Sequence, residues 1–295
     1  MGILLRLKQF GHNGYIDTTE NLCFMKKEKR KIMDLNMKTE NEIRKLALQS
    51  SNHMVDYYMP DYPKELITTI IDRANLTVDS KLLEIGAGSG RATKLFADFG
   101  FEMLCIEPGA ELAAKGQERF KDKNIKYIVS PFEDYAEQTE YFDVIIAAQA
   151  FHWVSQPIGY EKCSKALKKG GYLAPFWNLN LFRDDIDLDR ELWAIINKYE
   201  GWVSCMQEKD YAARMESITS KIVGSGLFSK PEIMHFYKEY TFAADDYYNY
   251  MFTGGGLNKT DAEKQACLEE LTQLANKYNG IKRNFHYELY LTQKL

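Results

Sequence analysis

Apolar residues along this chain fall into two kinds of segment. Short continuous runs occur at Leu82, Leu83 and Ile85, at Met103-Leu104-Cys105-Ile106, and across Ile125–Val129, Phe142–Ala148 and Tyr172–Trp177. Such runs predict strands buried on both faces. Between them the apolar positions recur at helical spacing, as in Ala92, Leu95, Phe96 and Phe99, and again over Ile158–Leu167. Strand alternating with helix predicts an α/β domain with a doubly wound, mostly parallel sheet. After Trp177 the pattern turns mainly helical, over Leu188–Tyr199, Tyr211–Val223, Asp245–Phe252 and Asp261–Tyr278. Strands expected at Glu232–Phe242 and Phe285–Thr292 finish the sheet, and Gly254-Gly255-Gly256 marks a flexible link. Residues 1–53 differ in character, being rich in Lys, Glu, Asn and Met. They read as an N-terminal extension with one helix over Glu40–Gln49, and Thr18–Phe24 looks like an altered protease-cleavage linker of vector origin.

The first apolar run is followed by glycines at alternate positions, in Glu84-Ile85-Gly86-Ala87-Gly88-Ser89-Gly90-Arg91. Strand, glycine turn and helix together open a nucleotide-binding α/β unit. Glycine lets the backbone turn tightly and lets a ligand approach with no Cβ in the way. A dinucleotide fingerprint places its third glycine three residues after the second. Here Arg91 stands at that position and the glycine comes one residue early, at Gly90, so the spacing argues against a dinucleotide. An ordinary βα turn is the plainer alternative. The second run ends in Glu107, about twenty residues beyond Gly86, where a doubly wound fold puts the acid that receives ribose hydroxyls.

With Glu84 two places before Gly86, this turn resembles motif I of the class I S-adenosylmethionine (SAM)-dependent methyltransferases, acidic-x-Gly-x-Gly-x-Gly. Lys168-Lys169-Gly170-Gly171 before an apolar strand is similar to a second mark of these enzymes. Gln149-Ala150-Phe151-His152-Trp153-Val154 resembles the Ala-x-His-Trp segment of their small-molecule, trans-aconitate methyltransferase-like members, the domain types numbered 11 and 25. The resemblance is close over residues 54–178 and loose over 179–295. It implies a seven-stranded Rossmann-like sheet whose last strand is antiparallel and inserted at the edge. It also implies a core over 54–178, a helical lid insertion over about 179–230 and closing elements over 231–295. The cofactor so implied is SAM. Its contacts would be Glu84, Gly86, Ala87, Gly88 and Gly90 at the turn, and Glu107 and Pro108 at the ribose. Phe132 and Glu133 would flank the adenine, with Gln149 and Ala150 at the end of strand four. Two positions depart from the family. Pro131 stands where an Asp is frequent, and Met59, in Tyr57-Tyr58-Met59-Pro60-Asp61-Tyr62-Pro63, stands where an Arg is frequent.

Methyl transfer is an in-line displacement, so the main task is alignment, and a base is needed only where the acceptor keeps its proton at neutral pH. His152 is the candidate base, with two other roles open: orienting a ligand by hydrogen bonding, or packing. Tyr58, Tyr62, Trp153, Trp177 and Arg183 are expected at the substrate pocket, and Phe176 and Asn178 at its floor. A carboxylate acceptor would need a cation, for which Arg183, Arg190 and Arg214 are candidates; a hydroxyl acceptor would not. Strand four is followed by no Asn-Pro-Pro-aromatic or Pro-Cys motif, which disfavours DNA bases as acceptors. A SAM-binding protein without transfer activity and a protein methyltransferase are the alternatives to a small-molecule enzyme.

Composition fits. The 295 residues, 45% hydrophobic, suffice for one large α/β domain. A net charge of −4 disfavours a nucleic-acid surface. The cysteines (Cys23, Cys105, Cys163, Cys205, Cys267) are dispersed without a Cys-x-x-Cys pair, so reduced thiols in a cytoplasmic protein are expected, and no metal site. The apolar patch at the start is broken by Arg6 and Lys8, so neither a signal peptide nor a membrane segment is expected.

Overall fold

The computed structural model describes residues 58–136, 138–199, 201, 205–252 and 259–295. The expected helix at Glu40–Gln49, the linker-like segment, Cys23, Tyr57 and Gly254–Gly256 lie outside these residues.

In chain order the elements are α1 (Lys64–Arg73), β1 (Lys81–Ile85), α2 (Thr93–Phe96), β2 (Glu102–Glu107), α3 (Ala110–Arg119), β3 (Ile125–Val129), β4 (Phe142–Ala148), α4 (Ile158–Ala166) and β5 (Leu167–Phe182). There follow α5 (Asp187–Lys198), β6 (Cys205–Gln207), α6 (Glu208–Gly224), β7 (Glu232–Phe242), α7 (Ala244–Met251), α8 (Asp261–Tyr278) and β8 (Ile281–Gln293). The sheet order is β3-β2-β1-β4-β5-β8-β7, with the short β6 paired to β5 alone. β1 to β5 are parallel, whereas β8 lies between β5 and β7 and runs antiparallel to both. The expected doubly wound sheet with an inserted, antiparallel last strand is therefore what the chain builds.

The apolar runs are continuous because each strand buries both faces. Leu82, Cys105, Val144, Ile146 and Phe176 point to one face, which α1, α5, α7 and α8 cover with Leu66, Ile70, Leu192, Tyr247 and Leu271. Leu83, Ile85, Ile106, Ile145 and Trp177 point to the other, covered by Tyr160 and Cys163 of α4 and Ile222 of α6. Successive residues thus serve opposite layers, as a pleated strand requires.

One expectation needs correction. Lys168-Lys169-Gly170-Gly171 is not a turn ahead of β5 but an irregularity within it. Gly170 has φ +74°, the pairing shifts register between Phe142 and Val144, and Lys168 Nζ sits 2.8 Å from Asp143 Oδ1. The segment after strand five is divided between the two faces of the sheet. β5 runs on to Phe182, α5 packs on one face of the sheet, and α6 packs on the other.

The length of β5 shapes the site. Its last partner on β4 is Phe176, opposite Ala148. Beyond that point it pairs with β8 as far as Leu179 opposite His286, and with β6 over Asn180–Phe182. The ends of β5 and β7 and the start of β8 therefore rise above the carboxyl edge of the parallel strands as a wall. Arg283 holds this wall to α5. Its Nε donates to Asn180 Oδ1 at 2.7 Å, its Nη2 to the Leu181 carbonyl at 2.6 Å, and its Nη1 pairs with Asp189. Both partners are buried, at 3% and 6% exposure. Removing one member of such a pair leaves a buried charge uncompensated. Arg283→Met is expected to lower unfolding free energy by about 3–5 kcal/mol in urea titrations. A loss of about 1 kcal/mol or less would mean the pair is no more than a surface-like contact.

Candidate functional site

The glycine turn joins β1 to α2, and Gly86, Gly88 and Gly90 all have positive φ, at +67°, +58° and +90°. Their surroundings differ. A Cβ at Gly86 would meet Ala150 Cβ at 2.5 Å, and one at Gly90 would meet the Phe120 ring at 2.3 Å, so internal packing accounts for these two. A Cβ at Gly88 would meet nothing within 4 Å. Gly88 therefore borders open space, the kind of backbone surface a ligand can approach.

Glu107 ends β2 beside that space. Its Oε2 accepts the Gly88 N–H at 2.8 Å and its Oε1 the Gly109 N–H at 2.7 Å. Burial raises its pKa, against these two bonds, which favour the carboxylate. Each carboxylate oxygen keeps a second lone pair, enough to accept two hydroxyl protons from a ribose. Pro108 follows it and is half-buried. The sequence reasoning placed Glu84 at the cofactor, but Glu84 lies beneath the turn at 1% exposure and not on its open side. Its Oε2 accepts from Thr93 Oγ1 at 2.6 Å, and burial pushes its pKa up to about 8. Ala87 is buried within the turn.

The other expected contacts lie around the same edge. Phe132 is buried and stacks on Tyr135, with centroids 6.5 Å apart, so only its backbone faces the loop after β3. Glu133 Oε1 accepts from the Ser155 amide at 2.7 Å, tying that loop to the one after β4. Gln149 has φ +56° and clamps β4 to β5. Its amide donates to the Phe176 carbonyl at 2.9 Å, and its Nε2 to the Asn178 carbonyl at 2.8 Å. Ala150 is the residue packed against Gly86.

His152 is exposed, and its Nδ1 accepts a hydrogen bond from Trp177 Nε1 at 3.0 Å. An indole N–H only donates, so the neutral imidazole must carry its proton on Nε2. In this arrangement both ring nitrogens are committed: one accepts from Trp177 and the other presents a donor. This disfavours proton abstraction by His152, whose neutral ring has no nitrogen left to take a proton. Trp153 is half-buried, its ring 4.9 Å from that of His152. Trp177 is buried between Tyr290, edge-on at 5.7 Å, and the Arg214 guanidinium at 5.2 Å.

Arg183 is a correction. It is exposed and paired with Asp185 at 2.6 Å and Glu208 at 3.5 Å, on the outer surface and not in a pocket. Arg190 is likewise bound to Asp187 and to the Asp184 carbonyl. Arg214 is buried and paired with Glu288, which also accepts from Tyr290 OH at 3.1 Å.

Sequence reasoning singled out this stretch and placed Tyr58 and Tyr62 at a pocket, but it missed that residues 58–63 form an anchored strap. Arg91 Nη2 donates to the carbonyls of Met59 at 2.8 Å and Pro60 at 2.9 Å. The Asp61 carboxylate pairs with Lys94 at 2.8 Å, while the Asp61 carbonyl accepts from Tyr287 OH at 3.0 Å and Tyr240 OH at 3.3 Å. The strap thus crosses from the glycine turn to the β7–β8 wall. It brings Tyr62 edge-on to Phe176 at 5.0 Å and near Tyr287 at 6.1 Å, and burial pushes the Tyr62 pKa up to about 12. Tyr58 is half-buried in the same layer. The one available signal was Arg91 itself, a cation directly after the third glycine, in a chain that lacks the arginine at position 59.

Glu84 gives a pH prediction. Its carboxyl moves from 4.5 to about 8 on folding, so the native state holds its proton where the unfolded chain has lost it. Its stabilising contribution is fully present below pH 4.5, declines as pH rises through the window, and is gone above about 8. Urea midpoints measured across this range should fall less steeply with pH in Glu84→Gln than in the parent protein. Parallel slopes would mean that Glu84 is ionised in the fold.

Comparison with known proteins agrees with this geometry. Residues 83–174 match the family model described as "Methyltransferase domain". "Probable S-adenosylmethionine-dependent methyltransferase CRG1" of Saccharomyces cerevisiae is 32% identical over 123 residues, covering 40% of this chain and 42% of that protein. An uncharacterized methyltransferase of Mycobacterium tuberculosis is 26% identical over 140 residues, covering 47% of this chain and 54% of that protein. The chain spans about half the length of the curated relatives it matches. In fold, it is similar to a solved Anaeromyxobacter dehalogenans protein described as a type II methyltransferase, with TM-score 0.57 and 18% identity over 80% of this chain and 97% of that one. It is also similar to YcgJ of Bacillus subtilis, with TM-score 0.51 and 13% identity over 79% of this chain and 99% of that one. With the inserted antiparallel strand, these matches show a methyltransferase domain over residues 83–174, set in the class I methyltransferase fold.

Proposed function

We propose that this chain transfers a methyl group from SAM to a small-molecule acceptor. The observation that carries this reading is the open space at Gly88 beside the Glu107 carboxylate, a cradle that a Cβ would enter. When bound, SAM supplies an electrophilic methyl group on a sulfonium, and S-adenosylhomocysteine is left after transfer. Glu107 receives the ribose hydroxyls with the lone pairs not used by Gly88 and Gly109. The backbone of Gly86, Ala87 and Gly88 borders the methionine end, with Gln149 and Ala150 at the lip of β4. Pro108 and the Pro131–Glu133 loop flank the adenine side. Tyr58 and Tyr62 offer aromatic faces to the sulfonium charge, the contact such cations favour.

His152 acts through its Nε2 proton as an orienting donor, held by Trp177. A carboxylate acceptor meets no uncommitted cation among four arginines, and a hydroxyl acceptor, for which no base is assigned, releases its proton to water as the methyl transfers. Arg183, Arg190, Arg214 and Arg283 are each engaged with carboxylates of the chain itself. The lid role of residues 179–230 and a cytoplasmic location belong to the same proposal. No helix among the described residues is long and apolar enough to cross a membrane.

Calorimetric titration with SAM and with S-adenosylhomocysteine tests this reading, and micromolar binding of both is expected. Gly88→Val should abolish it, because the side chain enters the cradle. Gly88→Ala, a gentler change, should weaken it, at a cost of about 1–2 kcal/mol in stability because alanine is strained at this positive φ. Glu107→Ala should cost about 1–3 kcal/mol of binding free energy through lost charged hydrogen bonds. Unchanged affinity in the Gly88 variants would refute the assignment of the cradle.

A further inference from the structure

Asn178 sits two residues past the last β4–β5 pair, at the carboxyl edge of the parallel strands. It is 2% exposed, and its carboxamide oxygen has no hydrogen-bond partner. A buried carbonyl that gives up water without gaining a donor carries an uncompensated desolvation cost. Packing alone does not explain it, since an apolar side chain would fill the same place without that cost. The neighbouring Asn180 is on the same strand face and shows the contrast. Its oxygen accepts from Arg283 Nε at 2.7 Å, and its nitrogen donates to Tyr247 OH at 3.2 Å.

Asn178 lies in an aromatic setting. Strand alternation puts it on the face of Phe176, and the sheet register puts it opposite Tyr287. The rings of Phe176 and Tyr287 both lie against Tyr62, which hangs from the strap. Its backbone carbonyl is held by Gln149 Nε2, so the strand end is fixed against the lip of β4. One polar atom without a partner therefore stands among three aromatic rings, between the cofactor turn and the β7–β8 wall. The arginines on either side are occupied: Arg91 holds the strap carbonyls, and Arg283 holds Asp189.

We propose that the Asn178 carboxamide is the polar anchor of the acceptor subsite, and that this subsite takes a neutral, hydroxyl-bearing aromatic molecule. The reading rests on the methyltransferase function proposed above. The carboxamide oxygen accepts the acceptor's hydroxyl proton in a hydrogen bond, and the rings of Tyr62, Phe176 and Tyr287 receive its ring edge-to-face or offset. The guanidinium beside this cluster, Arg91 at 6.0 Å from the Tyr62 ring, is committed to the strap carbonyls and Asp61, so an anion at Asn178 would be desolvated without a direct ion pair. Because Asn178 is enclosed, the acceptor enters as the strap parts from Tyr240 and Tyr287.

Phenol serves as the neutral probe and benzoate as the charged one, titrated into the full chain saturated with S-adenosylhomocysteine and followed by ligand-observed NMR. The parent protein should bind phenol in preference to benzoate. Asn178→Leu should weaken phenol binding by about tenfold or more, the loss expected for one buried hydrogen bond. The same variant should keep S-adenosylhomocysteine affinity and show an equal or higher Tm, since the unsatisfied carbonyl is gone. Asn178→Ala, which cannot overfill the site, should give the same loss of phenol binding. The proposal is overturned if phenol does not bind, if either variant binds it as the parent does, if benzoate is preferred, or if both variants lower the Tm, which would make the carboxamide structural. Failure of S-adenosylhomocysteine to bind the parent would overturn the cofactor reading first and this one with it.

Discussion

The site depends on one carboxylate that holds two backbone amides. Glu107 ends β2 and takes the N–H groups of Gly88 and Gly109, joining the glycine turn after β1 to the start of α3. Without it one half-buried N–H of the turn and one at the start of α3 would lose their acceptor. With it, the positive φ of Gly88 is fixed and the space beside Gly88 stays open. The acid also remains able to accept further hydrogen bonds on the side facing that space. Beneath it, Glu84 braces the same turn through Thr93, and its elevated pKa reflects a site too dry to favour charge. The two acids therefore do different work: Glu84 supports the turn from below, and Glu107 borders the open space at Gly88.

The second half of the site is built by strands that overreach. β5 and β8 pair beyond the end of β4, and buried ion pairs secure them on both faces, Arg283 with Asp189 on one and Arg214 with Glu288 on the other. The strap of residues 58–63 spans the gap, bonded to Arg91 at one end and to Tyr240 and Tyr287 at the other. The glycine turn and the β7–β8 wall are thus joined by one short segment, and Tyr62 touches both neighbourhoods.

Legibility in the sequence followed the range of the interactions. The parallel strands were readable because burial on both faces leaves an unbroken apolar run. β7 and α8 were placed at their observed ends, since α8 is bounded by a Thr260 capping box and by Asn279 in the left-handed region. The cofactor turn was readable because glycine spacing is local. The true length of β5 was not, because Gly170 reads as a turn residue and only the pairing with Asp143 and β4 keeps it in the strand. Arg183 and Arg214 look alike in sequence, and only the fold decides that one is a surface ion pair and the other is buried. The state of His152 was equally hidden, because it is set by an indole on another strand. Where partners are chosen by tertiary contact, residue type and local spacing carry no record of the choice.

The central claim, that the Gly88–Glu107 edge is the cofactor cradle, is tested most directly by a crystal structure of the protein with S-adenosylhomocysteine. The account predicts the ribose hydroxyls within hydrogen-bond distance of the Glu107 carboxylate, with the ligand lying across Gly88 under the strap. A ligand bound elsewhere, or one whose ribose does not touch Glu107, would contradict it.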